Sequence, residues 1–324
     1  SVECIDDDAI KSAGLIAIYL PMHTATRLAV EVLPKIKNLN PRAYLAFYGL
    51  YAKLNKDILL SLGGKTIISG EFEDSLVDLY KQLVNKKISS NSDLVSLKRQ
   101  NFRKPNRSHL PNLKNYAKLI NGKAQSITVG YTEGTRGCKH ICRHCPVVNV
   151  YKGRFFVVQP DVVMEDIRQQ VEVGAEHITF GDPDFFNGPG HAFKLVKTFH
   201  EEFPDLTYDV TIKVEHLLAH REKLSLLTET GCIFVTAAVE EIDNEILCKL
   251  EKNHTRDDFV EIVNATHTAG LTLSPTFIPF HPWTTTFGFV DLLSMINELN
   301  LIENVSPVQL GIRLLIPEGS RVLE

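Results

Sequence analysis

Short apolar runs alternate with stretches of helical period along the chain, and this alternation sets the first expectation of the fold. Residues 15–20 form an apolar run suited to a strand buried on both faces; residues 24–33 follow, with Leu28 and Val32 one helical turn apart. Residues 43–48 read as a second strand and 65–69, after Gly63-Gly64, as a third, with helical patterns over 55–62 and 74–83. Such βαβ alternation predicts a small parallel sheet covered by helices, a Rossmann-like unit from which a first βα element is missing.

Over residues 85–125 the periodicity lapses. Lys86, Lys87, Lys98, Arg99, Arg103, Lys104 and Arg107 accumulate there with Pro105 and Pro111. A solvated basic linker is expected, with a nucleic-acid-binding arm as the alternative. From Ser126 onward, strand-like runs near 126–131, 176–181, 208–215, 232–239, 271–279 and 307–316 alternate with helical stripes. Val163, Ile167 and Val171 make one stripe, and Phe289, Leu292, Leu293, Ile296 and Leu299 another. Gly231 suits a helix C-terminal cap. Six βα units joined by right-handed crossovers predict a partial (β/α)6 TIM-like barrel, open on one side. The expected organisation is an α/β chain: a Rossmann-like domain over 1–84, a basic linker over 85–125 and the partial barrel over 126–324.

Composition narrows the function classes. A length of 324 residues suits two domains, and 44% hydrophobic with 23% charged residues is the balance of a globular protein. A formal net charge of −4 offers no basic face to nucleic acid, and no apolar run approaches the roughly 20 residues that span a bilayer. Without a secretory pattern at the start, a cytoplasmic location is the expectation. Six cysteines are too sparse for a disulfide framework, yet three fall within eight consecutive positions, which points to a metal.

That cluster is Gly137-Cys138-Lys139-His140-Ile141-Cys142-Arg143-His144-Cys145-Pro146, a C-x3-C-x2-C motif just past the first barrel strand. Three such thiolates can each hold one iron of a cubane and leave the fourth iron open. The alternative is a Cys3His zinc site completed by His140 or His144. Location at a barrel strand end, where barrel enzymes place their chemistry, favours the cluster. Cys232 and Cys248 read as small buried hydrophobes, and the surroundings of Cys4 are undefined. A second strand end carries Gly181-Asp182-Pro183-Asp184, where glycine permits close backbone approach and proline fixes a turn. Strand periodicity places Thr211, Lys213 and Glu215 on one face, Thr236, Ala238 and Glu240 on another, and Gln309, Gly311 and Arg313 on a third. Polar positions repeated towards strand ends predict a lined site, with the stiff turn Pro279-Phe280-His281-Pro282-Trp283 as a wall.

The cysteine loop closely resembles that of radical S-adenosylmethionine (SAM) enzymes. The resemblance implies a [4Fe–4S] cluster on Cys138, Cys142 and Cys145 whose open iron chelates the amino and carboxylate groups of SAM. An electron from an external donor such as flavodoxin or ferredoxin then breaks a carbon–sulfur bond. The candidate SAM contacts are His144 beside the adenine; Gly181, Asp182, Pro183 and Asp184 at the methionine ammonium; Lys213 and Glu215 at its carboxylate or the substrate; Glu240 at the ribose; and Arg313 with the apolar edge around Ile316. The likeness extends to Tyr19-Leu20-Pro21-Met22-His23-Thr24-Ala25-Thr26-Arg27, Gly181-Asp182-Pro183-Asp184-Phe185-Phe186-Asn187, Ile212-Lys213-Val214-Glu215-His216 and Arg313-Leu314-Leu315-Ile316-Pro317-Glu318-Gly319. These resemble a bacterial radical SAM group with a cobalamin-binding-like N-terminal domain that includes an arsinothricin-biosynthesis enzyme. That implies transfer of a 3-amino-3-carboxypropyl group from SAM to trivalent arsenic, with arsenite as a small-molecule substrate; charge and hydropathy, separately, lead to the expectation of no nucleic-acid or membrane partner. The sequence lacks Asp-x-His-x-x-Gly, so cobalamin is not supported, and the group's cysteine-rich tail is not in it, so no arsenic-binding thiols are named. Competing expectations are a 5′-deoxyadenosyl-radical or methyl-transferring enzyme on another small molecule, and a zinc-stabilised binding module.

Overall fold

The computed structural model describes residues 5–87, 92–120 and 125–324; Cys4 and parts of the basic stretch lie outside the described residues. Two compact units are present: Ser1–Gln100 with His144–Gly153 and Ile316–Glu324, and Asn101–Arg143 with Arg154–Leu315.

The first unit is built on a parallel sheet in the order β1 (Leu15–Tyr19), β2 (Tyr44–Tyr48), β3 (Thr66–Gly70) and β4 (Ser92–Ser96). The first three strands fall where the apolar runs place them. Leu33, Phe47, Leu59 and Ile67 pack on one face and Tyr44, Ala46, Ile68 and Leu79 on the other, so the central strands are enclosed on both sides. β4 lies in the stretch expected to be linker. It is the edge strand, its Leu94 and Val95 remain exposed, and its Asp93 pairs with Lys53 and Lys56. An edge strand buries little, which is why its short Asp-Leu-Val core carries no strong periodic signal.

The second unit holds a six-stranded sheet. β5 (Lys118–Ile120) is antiparallel to β6 (Ser126–Thr132), which is followed by the hairpin β7 (Thr135–Gly137) and β8 (Phe155–Val157). β9 (His177–Phe180), β10 (Thr207–Thr211), β11 (Cys232–Glu240) and β12 (Thr272–Phe277) continue β6 in parallel, giving the order β12-β11-β10-β9-β6-β5. Helices Pro160–Glu172, Pro189–Glu202, Leu224–Glu229, Arg256–Thr268 and Thr286–Glu298 cover one face, so this is the expected α/β half-barrel of TIM type. Gly231 follows the helix Leu224–Glu229 at φ 95°, the left-handed position that glycine adopts without strain.

Several expectations are corrected. Residues 307–316 are not a sixth strand: Pro307–Gly311 is a 3-10 turn, and Arg313 keeps one parallel bridge to Phe280. Pro307 sits at the start of that turn, where its fixed φ and missing N–H suit a helical first turn better than a ladder. The third strand stops at Thr211. Lys213 is the N-cap of the helix Val214–Ala219 and Glu215 lies in its first turn, so neither stands on a strand face. Arg107 is no solvated linker charge: it grips the buried Asp166 through Nε and Nη2 at 2.7 and 2.8 Å. Cys232 is buried as expected, whereas Cys248 is exposed.

The sheet's two faces differ. Ile178, Phe180, Tyr208, Val210, Val235, Val239, Leu273 and Phe277 pack under the helices. The alternate positions are polar: Thr179, Asp209, Thr211, Thr236, Ser274 and Thr276 line the other face, where Asp209 accepts from Thr179 Oγ1 at 2.6 Å and meets His177 Nε2 at 2.9 Å. Among the described residues no helix is long and apolar enough to cross a membrane.

Candidate functional site

The cysteine motif begins where β7 ends. Gly137 adopts φ 75°, a left-handed conformation that turns the chain out of the hairpin without strain on a Cβ. Cys138 and Cys145 are half-buried and Cys142 is buried. Cys145 is the N-cap of the helix Pro146–Tyr151, opened by Pro146 at the first helical position. His144 and this helix belong to the first unit, where Tyr151 donates a 3.1 Å hydrogen bond to the fully enclosed Glu71.

A residue that sequence reasoning gave no role fixes the loop. The buried Asn187 accepts from the Lys139 N–H at 3.0 Å and donates to the Gly137 carbonyl at 3.1 Å, clamping the backbone on both sides of Cys138. The Arg143 N–H donates to the Leu250 carbonyl at 3.0 Å, a second anchor just past Cys142. Asn187 ends the Gly181–Asn187 stretch that carried the family resemblance, which was the available signal.

The turn after β9 holds the next group of candidates. Gly181 lies against the Tyr131 ring, and a Cβ there would fall 1.8 Å from the phenol oxygen. Pro183 is exposed. Asp182 points inward, accepting from the Gly134 N–H at 2.8 Å and the Thr135 hydroxyl at 2.6 Å. Burial pushes its pKa up to about 7, with those two hydrogen bonds pulling the other way. Asp184 has the opposite fate. Burial would raise its pKa too, but the His140 and His216 imidazoles outweigh this and hold the carboxyl below the usual range.

Asp184 is the centre of a convergence. Its Oδ1 caps the Phe186 N–H at 3.1 Å, while Oδ2 lies 2.6 Å from His216 Nδ1 and 3.3 Å from His140 Nε2. The imidazoles approach each other at 3.3 Å through their Nε2 atoms. Lys213 Nζ sits 3.3 Å from His140 Nδ1 and 2.9 Å from Glu215 Oε2. Three candidates from the sequence, Asp184, Lys213 and Glu215, are therefore brought together with His140 of the cysteine loop. His216 was missed; it stands in the helix Val214–Ala219, buried beside Val214 and Leu217.

Glu240 ends β11 with φ 72°, a strained conformation for a residue with a Cβ, of the kind that concentrates at functional sites. It is buried, and Lys252 Nζ lies 3.4 Å from its Oε1. The neighbouring buried His254 has its pKa pushed down to about 4, by burial first and then by the charges of Lys252 and Lys213. In the aromatic turn, His281 Nε2 pairs with Glu241 Oε2 at 2.8 Å. Arg313 is exposed, and Ile316 falls in the first unit.

The family model described as the radical SAM superfamily matches residues 132–293, half of the chain. No curated protein matches this sequence. Among solved structures, the radical SAM methyltransferase TsrM of Kitasatospora setae, with tryptophan and aza-SAM bound, aligns with a TM-score of 0.76 at 15% identity, over 90% of this chain and 62% of that one. The cobalamin-dependent SAM radical enzyme OxsB aligns with a TM-score of 0.67 at 13% identity, over all of this chain and 53% of that one. At these identities the likeness is one of fold, and the chain spans less than two thirds of either protein's length.

Proposed function

Since this chain belongs to the radical SAM superfamily, we propose that it binds a [4Fe–4S] cluster on Cys138, Cys142 and Cys145 and cleaves SAM reductively. The observation that carries this is the C-x3-C-x2-C loop leaving the β7 hairpin with its backbone pinned around Cys138 by Asn187. The residues fit the group: three thiols within eight positions, one of them buried, on a backbone held on both sides of the first. Once bound, such a cluster supplies the electron that breaks a carbon–sulfur bond of SAM.

The chain's own residues then bind and orient. Gly181 and Pro183 offer backbone to the methionine moiety, and Asp182 holds their turn to the segment after β6. Lys213 and Glu215 form a half-buried ion pair for its carboxylate and ammonium, with Asp184 fixing the histidines behind them. Glu240 receives the ribose hydroxyls, and His144, Arg313 and Ile316 serve the adenine. An external one-electron donor of flavodoxin or ferredoxin type completes the reaction.

For the acceptor we propose trivalent arsenic as arsenite. The bond from sulfur to the methionine γ-carbon breaks on uptake of one electron, releasing 5′-methylthioadenosine; the 3-amino-3-carboxypropyl radical adds to arsenic, and a second electron from the same external donor, with loss of hydroxide from arsenic, leaves a trivalent organoarsenical. The sequence likeness over Tyr19–Arg27, the Gly181–Asn187 turn and Arg313–Gly319 supports this reading. Methyl transfer is the second reading, favoured by the fold shared with TsrM and OxsB, whose structures carry cobalamin. One experiment separates them. Reconstituted protein is incubated without oxygen with SAM, dithionite and arsenite, and all products are weighed by mass spectrometry. 5′-Methylthioadenosine with an arsenic-containing amino acid supports the first reading. S-Adenosylhomocysteine, or 5′-deoxyadenosine with methionine, overturns it, and intact SAM on an iron-free protein overturns both.

A further inference from the structure

We propose that His140, Asp184 and His216 form a second metal site, for a divalent first-row transition ion, separate from the cysteine thiols. The three residues come from three segments of the second unit: the loop between Cys138 and Cys142, the turn after β9 and the helix after β10. All are buried, at 9%, 1% and 5% exposure. One ligand atom from each lies within 4.8 Å of the others. The ligand–ligand edges, 2.6 Å from His216 Nδ1 to Asp184 Oδ2 and 3.3 Å from His140 Nε2 to the same oxygen, approach those of a site with bonds of about 2.0–2.2 Å.

The orientation of these atoms argues for a shared cation. Asp184 Oδ2 and His216 Nδ1 are shielded from solvent and meet at 2.6 Å as an ion-pair contact without hydrogen-bond geometry. Buried polar atoms in native proteins are satisfied with few exceptions, and an ion between them satisfies both at once.

The surroundings supply the usual support for a metal-bound histidine. When His140 ligates through Nε2 its proton resides on Nδ1, which lies 3.6 Å from Glu215 Oε2, and Lys213 steadies that carboxylate from 2.9 Å. Without the ion, Lys213 donates to Nδ1 instead, at 3.3 Å. Two imidazoles and a carboxylate select a borderline ion such as zinc, iron(II) or cobalt(II), whereas the adjoining thiols select a cluster. Its effect is to staple the cysteine loop to the ends of β9 and β10.

The test keeps the full chain and removes the competing thiols by Cys138→Ser, Cys142→Ser and Cys145→Ser. Dialysed against zinc and desalted, this protein is expected to retain one zinc per chain and to melt at a higher temperature with zinc than without. Cobalt(II) is expected to give d–d absorption with no thiolate charge-transfer band. Adding Asp184→Asn or His216→Gln weakens zinc binding at least about 100-fold, and Glu215→Gln, on the half-exposed rim, about 10-fold with an unchanged near-ultraviolet circular dichroism spectrum. The cluster-loaded wild-type chain is expected to carry one zinc beside about four irons. Absence of retained zinc in both the cysteine-free and the cluster-loaded chains, or zinc binding indifferent to Asp184→Asn and Glu215→Gln, overturns the proposal and leaves a metal-free His–Asp–His network as the account of this cluster.

Discussion

In the N-terminal sheet β2 and β3 are enclosed on both faces by apolar side chains, whereas β9 to β12 bury one face under helices and present threonines, a serine and an aspartate on the other. β1 to β4 run parallel, as do β6 and β9 to β12, and the central strands of both sheets follow from short apolar runs. A strand apolar on both faces can serve as scaffold, because every side chain it offers is spent on packing. Alternation that leaves one face polar frees that face, and the strand ends beyond it, to carry charge. The half-barrel uses this freedom at Asp182, Asp184, Lys213 and Glu240, all buried and all at or just past the C-terminal end of a strand. Chemistry at the C-terminal ends of parallel strands is the general behaviour of barrel enzymes.

The comparison breaks if substitutions in the two sheets have interchangeable effects. Cys142→Ala has the largest expected consequence: iron retention and SAM cleavage fall to background while the thermal unfolding of the chain persists as a cooperative transition. Iron analysis and calorimetry on the same sample check it, and wild-type turnover in this variant would refute the assignment. Phe47→Ala, in the enclosed core of the N-terminal sheet, removes a ring with no exposed surface and should cost about 3–5 kcal/mol in urea unfolding. Iron content per folded chain should stay at the wild-type level, since Phe47 packs with Leu33 and Ile67 in the core of the first unit. Loss of iron in folded Phe47→Ala protein would show that the scaffold and the site are one cooperative object.

The sequence announced buried strands well and edges badly. Residues 15–20, 43–48 and 65–69 are legible because burial on both faces demands apolar runs. β4 is not, because an edge strand of Asp-Leu-Val with exposed Leu94 and Val95 pays no toll in hydrophobicity. The run Val308-Gln309-Leu310-Gly311-Ile312-Arg313 alternates like a strand and still becomes a 3-10 turn, since Pro307 presets the helical φ and Gly311 offers nothing to pack. Alternation assigns Lys213 and Glu215 to a strand face, whereas the strand ends at Thr211 and gives way to a helix capped by Lys213. The cysteine motif is legible from spacing alone. The meeting of His140, Asp184 and His216 is not, because it depends on three separate chain segments that only the folded half-barrel juxtaposes.

Within the half-barrel, the clamp and the inward carboxyl sharpen the comparison further. Asn187→Ala removes both hydrogen bonds that flank Cys138 and should lower retention of the cluster by about 10–100-fold against a chelator, the range for residues that orient metal ligands. Asn187→Asp, which keeps the acceptor for Lys139 and loses the donor to Gly137, should fall between the two.

The smallest effect concerns Asp182, and its sign is fixed by burial. Its folded pKa of about 7 lies above the ordinary 3.8, so the folded chain binds the proton more tightly than the unfolded one. The stability this contributes is fully present below about pH 4 and is lost as pH rises through 7, which amounts to a decline of about 2 kcal/mol between pH 5 and 7. Asp182→Asn cannot ionise, and its amide still offers an oxygen to the Gly134 N–H, so that decline should vanish from its unfolding curves. Urea unfolding of both proteins at pH 5, 6 and 7 reads the difference directly. Parallel pH profiles would mean that the carboxylate is charged throughout, and that the Gly134 and Thr135 donors outweigh burial at this strand end.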